Sequence, residues 1–343
     1  MAATSQQIAQ TVQKTAEPIT VSKELLLREL TADQLGEWDD LVQRSPQGSV
    51  FCQSWWLEAT CGTPRVLGLF DGDRLVAGLP LYYKSKFGVT LCTMPKLTQT
   101  WGVVLEPLTG RTCRVLTRQM ELLRPFATHL SRLTFFYQRF HSSLTNWLPF
   151  CWSGFVQTSR VTYVLDDLSC HDEIMKGMTH QIRGEIKKAE RLGIEISRST
   201  GSELWDFTLK TFGRQHKIVS FDKEYLERIC TASQARDQGA CFAAVDREGR
   251  THAAGLVVWD CRRAYYLVSG ADPALRTSGA GSLLAWHNIQ FASQRASVFD
   301  FEGTMLEGVE RFFRDFGARQ VQFNCILKYP AWAYPYLRRS KNL

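Results

Sequence analysis

The chain has 343 residues, 44% of them hydrophobic and 22% charged, with 10 Trp and 20 Phe. This composition is that of a globular protein with substantial cores and excludes disordered, collagen-like and coiled-coil classes; at about 100–200 residues per domain, the length suits two domains or one large one. Lys+Arg 41 against Asp+Glu 34 gives a net charge of +7, which suits an anionic ligand such as a phosphate, a coenzyme or RNA without choosing among them, and serves ordinary solubility equally well.

Taken in chain order, Met1–Thr20 is rich in Ala, Thr and Gln and has no apolar core. It reads as a flexible tail over residues 1–22 and not as a secretory signal. No run approaches the ~18 apolar residues of a spanning helix. Hydrophobic periodicity then predicts a strand at Lys23–Glu29, helices at Leu35–Arg44 and Gln53–Thr60, strands at Val66–Phe70 and Leu75–Tyr83, and a helix at Thr112–His129. Pro149 and the aromatic run Trp147–Phe155 break the pattern near mid-chain. Beyond them come a strand at Arg160–Leu165, one long helix at Cys170–Leu192, a strand at Ile194–Ser197, and helices at Ser202–Phe212 and Lys223–Ser233. Strands at Cys241–Val245, Ala253–Trp259 and Ala264–Gly270 follow, then helix Gly279–Gln294, strand Val298–Phe301, helix Gly308–Phe316 and strand Gln320–Leu327.

Two stretches share a pattern. Val66–Tyr83 and Cys241–Gly270 each hold an apolar strand, a charged Asp- and Gly-bearing turn, and a strand containing Ala-Gly-Leu. Such turns between strand-like runs are hairpin signals. Ala77 and Ala254 lie about half a chain apart, so the expected fold is α/β: two tandem similar units, each a mixed β-sheet covered by helices, spanning 23–165 and 166–343. The ten cysteines show neither a C-x-x-C pair nor zinc spacing. Cys52, Cys92, Cys241 and Cys325 sit in apolar stretches as small core residues, which suits a reduced, cytoplasmic protein.

The richest segment is Ala264–Gly303. After the strand AYYLVSG, Arg276-Thr277-Ser278-Gly279-Ala280-Gly281 reads R-x-x-G-x-G at a strand-to-helix junction. Free N–H groups of a first helical turn attract phosphate, and Arg276 adds a forked contact; a plain helix-start turn is the alternative. In Val298-Phe299-Asp300-Phe301-Glu302 the period of two puts Asp300 and Glu302 on one side and the phenylalanines on the other. Paired carboxylates on an apolar strand suit a cleft and proton transfer, or a strand end salt-bridged to Arg311 or Arg314. In Gln181–Leu192, Ile182, Ile186 and Ala189 form an apolar face, while Arg183, Lys187 and Arg191 recur at i, i+4, i+8. That basic line reads as a solvated face or as a seat for a phosphorylated substrate or a tRNA backbone.

Together these residues resemble the GNAT acyltransferase superfamily, in its tandem branch of FemABX aminoacyltransferases and related bacterial N-acyltransferases. Gln53-Ser54 with Trp56 resembles the branch's early Q-S-x-x-W element, and Arg183–Gly193 its R-x-x-x-x-K-A-x-x-x-G element. Phe299–Gly303 followed by Phe312–Ala318 resembles its closing strand and helix, and Arg276–Gly281 the coenzyme A pyrophosphate loop. The resemblance implies acyl transfer from an activated donor to a small-molecule or peptide amine, with acyl-CoA as co-substrate and no tightly bound cofactor or metal. An aminoacyl-tRNA-dependent aminoacyltransferase is the alternative, and a non-catalytic GNAT-fold binding module a third reading. It assigns Arg276, Thr277, Ser278, Gly279, Ala280 and Gly281 to the coenzyme, while the strand alternation offers Glu302 and Asp300 for catalysis, Glu302 as the proton acceptor and Asp300 as an anion paired with a nearby Arg. Arg183, Lys187, Gln53, Trp56 and Arg314 fall to the substrate. Relatives often carry Lys or Tyr where this chain has Phe313, which can neither donate a proton nor stabilise an oxyanion by charge. The coiled-coil hairpin of some tRNA-using relatives has no counterpart.

Overall fold

A computed structural model describes residues 25–86, 89–303 and 305–333; the expected tail over residues 1–22 lies outside them. The first half runs β1 (Leu25–Glu29), α1 (Leu35–Arg44), α2 (Ser54–Cys61), β2 (Val66–Asp71), β3 (Arg74–Pro80), β4 (Tyr82–Lys86), β5 (Val89–Thr93), β6 (Val104–Leu105), α3 (Thr112–Leu130), β7 (Phe135–Arg139), α4 (Leu148–Trp152) and β8 (Val156–Leu165). The second half opens with α5 (His171–Gly177) and α6 (His180–Arg191). It continues through β9 (Glu195–Arg198), α7 (Gly201–Arg214), α8 (Lys223–Gln234), β10 (Gly239–Val245), β11 (Thr251–Trp259), β12 (Arg263–Ala271), α9 (Ala280–Ala292), β13 (Val298–Asp300), α10 (Glu307–Asp315) and β14 (Arg319–Lys328).

The repeat seen in the hairpins extends to the topology. With the β4–β5 hairpin and the α5–α6 pair set aside, β1-α1-α2-β2-β3-β6-α3-β7-α4-β8 matches β9-α7-α8-β10-β11-β12-α9-β13-α10-β14 in order. The strands form a four-stranded sheet, β1-β2-β3-β6, and a ten-stranded sheet, β4-β5-β7-β14-β8-β13-β12-β11-β10-β9. Each half's last strand is built into the other half: β14 lies between β7 and β8, and β8 between β14 and β13. β8 and β14 pair antiparallel from Arg319↔Val164 to Leu327↔Val156. This pairing joins the strands of the two halves by backbone hydrogen bonds.

Several expected elements are redrawn by local chemistry. The single helix expected over Cys170–Leu192 is two, because Met178 is extended (ψ 149°) and Thr179 caps α6 by accepting from the Ile182 N–H at 3.4 Å. The strand expected over Leu75–Tyr83 breaks at Leu81, whose N–H goes to Arg65 O at 2.8 Å, so β3 and β4 lie in different sheets. Sequence reading passed over β5, β6 and β7. It also passed over α4, where Pro149 stands in the first turn, a place where the missing N–H costs nothing.

Helices α6, α9 and α10 cover one face of the second unit, with Ile182, Ile186, Leu284, Ile289, Phe299, Phe301 and Phe313 in one apolar core. The opposite face packs on the first unit, where Trp38, Phe51, Trp56 and Trp101 meet Leu256, Val258 and Tyr265. All ten cysteines are free thiols, and Cys52, Cys92, Cys241 and Cys325 are buried. Among the described residues no helix is long and apolar enough to cross a membrane.

Candidate functional site

Strands β12 and β13 run parallel but pair only at Arg263↔Val298, Ala264↔Phe299 and Tyr265↔Asp300. Past this point β12 continues along β11, while the Phe301 N–H turns to Tyr163 O on β8 at 2.9 Å. A bulge adds to the divergence: opposite Leu256 and Val257 the β12 partners step from Val268 to Tyr266, leaving Leu267 unopposed. The strands therefore part, and a cavity of about 200 Å³ lies beside the free stretch of β12, lined by Tyr266, Ser269, Gly270, Arg276, Gly281 and Phe312. Arg214 and Asp272 also border it. Arg214 comes from the last turn of α7, which lies so close to β12 that a Cβ on Gly270 would stand 2.3 Å from the Phe207 carbonyl. Nothing in the local sequence marked Arg214.

The Arg276–Gly281 segment forms a short 3-10 turn and the start of α9. Its two glycines differ in what they do. A Cβ on Gly281 would meet nothing within 4 Å, so the first turn of α9 is open to a ligand there. Gly279 has φ +80°, and a Cβ on it would lie 2.2 Å from Glu185 O; its bareness admits α6, not a phosphate. That corrects the expectation that both glycines serve ligand approach. Lys188 Nζ donates to Thr277 O at 2.6 Å and Ser282 Oγ to Glu185 Oε2 at 2.5 Å, so α6 straps the turn.

The carboxylates lie on the face of the sheet toward the first unit. Asp300 is fully buried. Its Oδ2 accepts from Arg263 Nη1 at 2.9 Å, and its Oδ1 accepts from Gln99 Nε2 at 3.0 Å, from Thr162 Oγ1 and from the Glu302 N–H at 2.9 Å. The salt-bridge partner is thus Arg263; Arg311 and Arg314 instead pair with Asp315 and Glu310 of their own helix. Glu302 has left the strand, with φ +55°, a left-handed conformation uncommon outside glycine and frequent at functional sites. Gly303 follows because the chain presses on β8: a Cβ there would stand 1.6 Å from Val161 O. Glu302 Oε1 is out of contact with solvent and has no hydrogen-bond partner. Burial first, and the neighbouring Asp300 charge second, push its carboxyl well above the usual carboxylate range, while Arg139 pulls it back. Arg139 donates to Thr98 O and leaves its own buried Nε unpartnered. Gln99, Thr162, Arg139 and Arg263 were not singled out in the sequence.

The remaining expected site residues scatter. Trp56 is fully buried, its Nε1 donating to Thr98 Oγ1 at 3.0 Å; it shapes the segment that presents Gln99 and offers no surface to a substrate. Gln53 accepts from Trp55 Nε1 at 2.5 Å and borders a separate cavity with Asp39, Asp260 and Arg262. Arg183 donates to the carbonyls of Met175, Lys176 and Met178 at 3.3, 3.1 and 2.7 Å, which closes the C-terminal end of α5. Lys187 is exposed on α6, and Arg314 is an exposed partner of Glu310 Oε1 at 3.5 Å. None of these five touches the opening between β12 and β13. Phe313 stacks on Phe301 with ring centroids 5.1 Å apart, so the position where relatives often carry Lys or Tyr is a core position here.

Residues 176–314 match the model of the acetyltransferase (GNAT) domain family. No curated protein matches the chain in sequence. Among solved structures the fold is similar to FemX, at 14% identity and a TM-score of 0.67 over 90% of this chain and 99% of that one. It is similar also to a tandem GNAT protein from the clavulanic acid biosynthesis pathway (13%, 0.53, 89% and 98%). A third likeness is to the C-terminal domain of a putative lysylphosphatidylglycerol synthetase from Agrobacterium fabrum (12%, 0.54, 90% and 95%). The second half therefore contains a stretch that matches a GNAT domain, and the fold over most of the chain is similar both to FemX and to a tandem GNAT protein.

Proposed function

We propose that this tandem GNAT-fold chain is an N-acyltransferase that moves an acyl group from acyl-CoA to an amine acceptor where β12 and β13 part. The observation that carries the reading is an anion seat beside the free stretch of β12, while Glu302, whose Oε1 has no hydrogen-bond partner, follows β13 just past the point where the two strands part. The open first turn of α9, with Arg276 and Arg214 beside it, offers hydrogen bonds, dipole and charge to a pyrophosphate. From there back to Tyr265, the free stretch of β12 runs six residues (Tyr266–Ala271), about 20 Å at 3.3 Å per residue. An extended phosphopantetheine arm laid along it brings the thioester carbonyl to the fork beside Glu302.

The chemistry then balances with the chain's own groups. Glu302, as carboxylate, takes a proton from the acceptor ammonium, and the neutral amine attacks the thioester carbon. Backbone N–H groups along the opening hold the oxyanion, and its collapse expels coenzyme A as a thiolate; the proton that the attacking nitrogen loses as the amide forms passes through water to that thiolate. A thiolate leaves readily, so a core phenylalanine at position 313 is compatible with turnover. The resemblance of Arg276–Gly281 to the coenzyme A pyrophosphate loop favours this donor. The resemblance of the sequence elements to the FemABX aminoacyltransferases keeps aminoacyl-tRNA as the second reading. A reduced cytoplasmic setting agrees with both donors.

Calorimetry with coenzyme A, set beside tRNA binding at several salt concentrations, tests the donor. Binding of coenzyme A alone supports the proposal. Salt-sensitive tRNA binding without it selects the aminoacyl donor, and coenzyme A binding with no transfer to any amine leaves a binding module. Gly281→Glu is expected to abolish coenzyme A binding through bulk and like charge while α9 stays folded, because the added side chain enters open space. Arg276→Ala is expected to weaken binding by about 1–3 kcal/mol, the value of a charge-assisted bond. Unchanged affinity in both folded variants would remove the loop from the site.

A further inference from the structure

The turn that carries the anion seat is held from beneath by a buried chain of side chains. Pairing of β10 with β11 steps from Ala244↔Ala253 to Val245↔Thr251, leaving His252 as an extra, bulged residue. Bulges re-aim a side chain, and this one turns the imidazole under the turn. His252 Nδ1 meets Ser278 Oγ at 2.9 Å, and Nε2 meets Asp246 Oδ2 at 2.9 Å. The His252 carbonyl accepts from the Asp272 N–H at 2.8 Å, so one residue grips both ends of the segment from Asp272 to Ser278. Asp246 is itself fixed by the Arg250 side chain at 2.7 Å and by the Arg250 and Glu248 N–H groups at 2.9 and 3.1 Å.

The order Ser–His–Asp has the connectivity of a nucleophilic triad, but burial decides against that use. Ser278, His252 and Asp246 are 7%, 6% and 9% exposed, and the cavity beside the turn is bordered by Arg276 and Gly281 but not by Ser278. A nucleophile must reach its substrate; Ser278 does not. Ionised Asp246 Oδ2 can only accept, so Nε2 donates to it, and in the neutral ring Nδ1 accepts from the Ser278 O–H. The Ser278 oxygen then faces the Ala280 N–H at 3.4 Å, in the first turn of α9. The chain thus ends on the backbone that the anion seat is made of.

We propose that His252 is a positioning residue for the donor phosphates, setting through Ser278 the conformation of the Arg276–Gly281 turn. This rests on the acyl-CoA reading and adds a residue to it. Ser278→Ala and His252→Ala are each expected to raise the Kd of coenzyme A about 3–10-fold, the worth of one intramolecular hydrogen bond. The double variant should do no worse than the weaker-binding single, since both cut one chain. His252→Asn, which keeps an acceptor near the Nδ1 position, should recover much of the affinity. Pantetheine, which lacks the pyrophosphate, should compete equally well in all forms, and a general loss of structure would not spare it. Calorimetry and competition on variants shown to be folded by circular dichroism supply the readout. Unchanged coenzyme A affinity in folded Ser278→Ala and His252→Ala, additive effects in the double variant, or equal losses for pantetheine would overturn the assignment with the donor reading intact. Failure of the unaltered chain to bind coenzyme A would overturn both.

Discussion

Glu302→Gln is expected to lower acyl transfer by about 10²–10⁴-fold while raising the melting temperature at pH 8. The substitution keeps the shape of the side chain and removes its basicity. Burial and the Asp300 charge keep the folded carboxyl protonated well above the ordinary range, whereas an unfolded glutamate releases its proton near pH ~4.3. Between those two values the unfolded state gains free energy by ionising and the folded state does not, so the unaltered protein loses stability as pH rises and the loss levels off above the folded pKa. Glutamine has no such penalty. The variant should therefore melt like the unaltered protein at pH 4 and higher at pH 8. Activity runs the other way: the base works only when ionised, so kcat/KM should climb with pH along a limb above the usual carboxylate range, and the limb should vanish in the variant. A stabilised, inactive variant is the signature of a carboxyl kept for function at a cost to the fold. Full activity of Glu302→Gln at every pH would place the base elsewhere.

Features written in local periodicity were legible in the sequence. The hairpin repeat, the alternation of Phe299, Asp300 and Phe301, and the R-x-x-G-x-G turn each depend on neighbours a few residues away, whereas the alternation expected to reach Glu302 stops where that residue leaves the strand. What the sequence hid is what the sheet assembles over long separations. Asp300 takes its bonds from Gln99, Thr162 and Arg263, which are 201, 138 and 37 residues distant. Arg139 reaches the site because β14 joins the two units. Position alone also misled where one residue type serves two purposes. Gly279 and Gly281 look alike in a motif, yet one admits a helix and the other stands open. Arg183 belongs to a basic stripe, but its guanidinium is spent on three carbonyl oxygens at the end of α5. Trp56 sits in the expected Q-S-x-x-W-like element and is buried completely. The one hint of His252 was a histidine opening an apolar strand, and only the bulge in register gives it a direction.

Asp300→Asn is expected to cost about 3 kcal/mol of stability, the lower end of what breaking a buried ion pair costs, because the Arg263 side chain keeps 20% exposure and some access to water. The asparagine oxygen can take over Oδ1, with its bonds from Gln99, Thr162 and the Glu302 N–H. The amide nitrogen then replaces Oδ2 and faces Arg263 Nη1, a donor against a donor. Unfolding monitored by heat should show a fall of about 4 °C. Arg263→Met added to Asp300→Asn should return part of it, since the stranded charge goes with the arginine. Activity separates the two carboxylates by sign. The Asp300 charge is one of the two causes that raise Glu302, so removing it lowers the Glu302 pKa and moves the acid limb of kcat/KM to lower pH, with turnover at high pH retained. A dead but stable Asp300→Asn protein, beside an active Glu302→Gln protein, would exchange the two roles. A limb displaced to higher pH would mean that Asp300 does not act on Glu302 through charge, and the electrostatic account of the pair would fall with it.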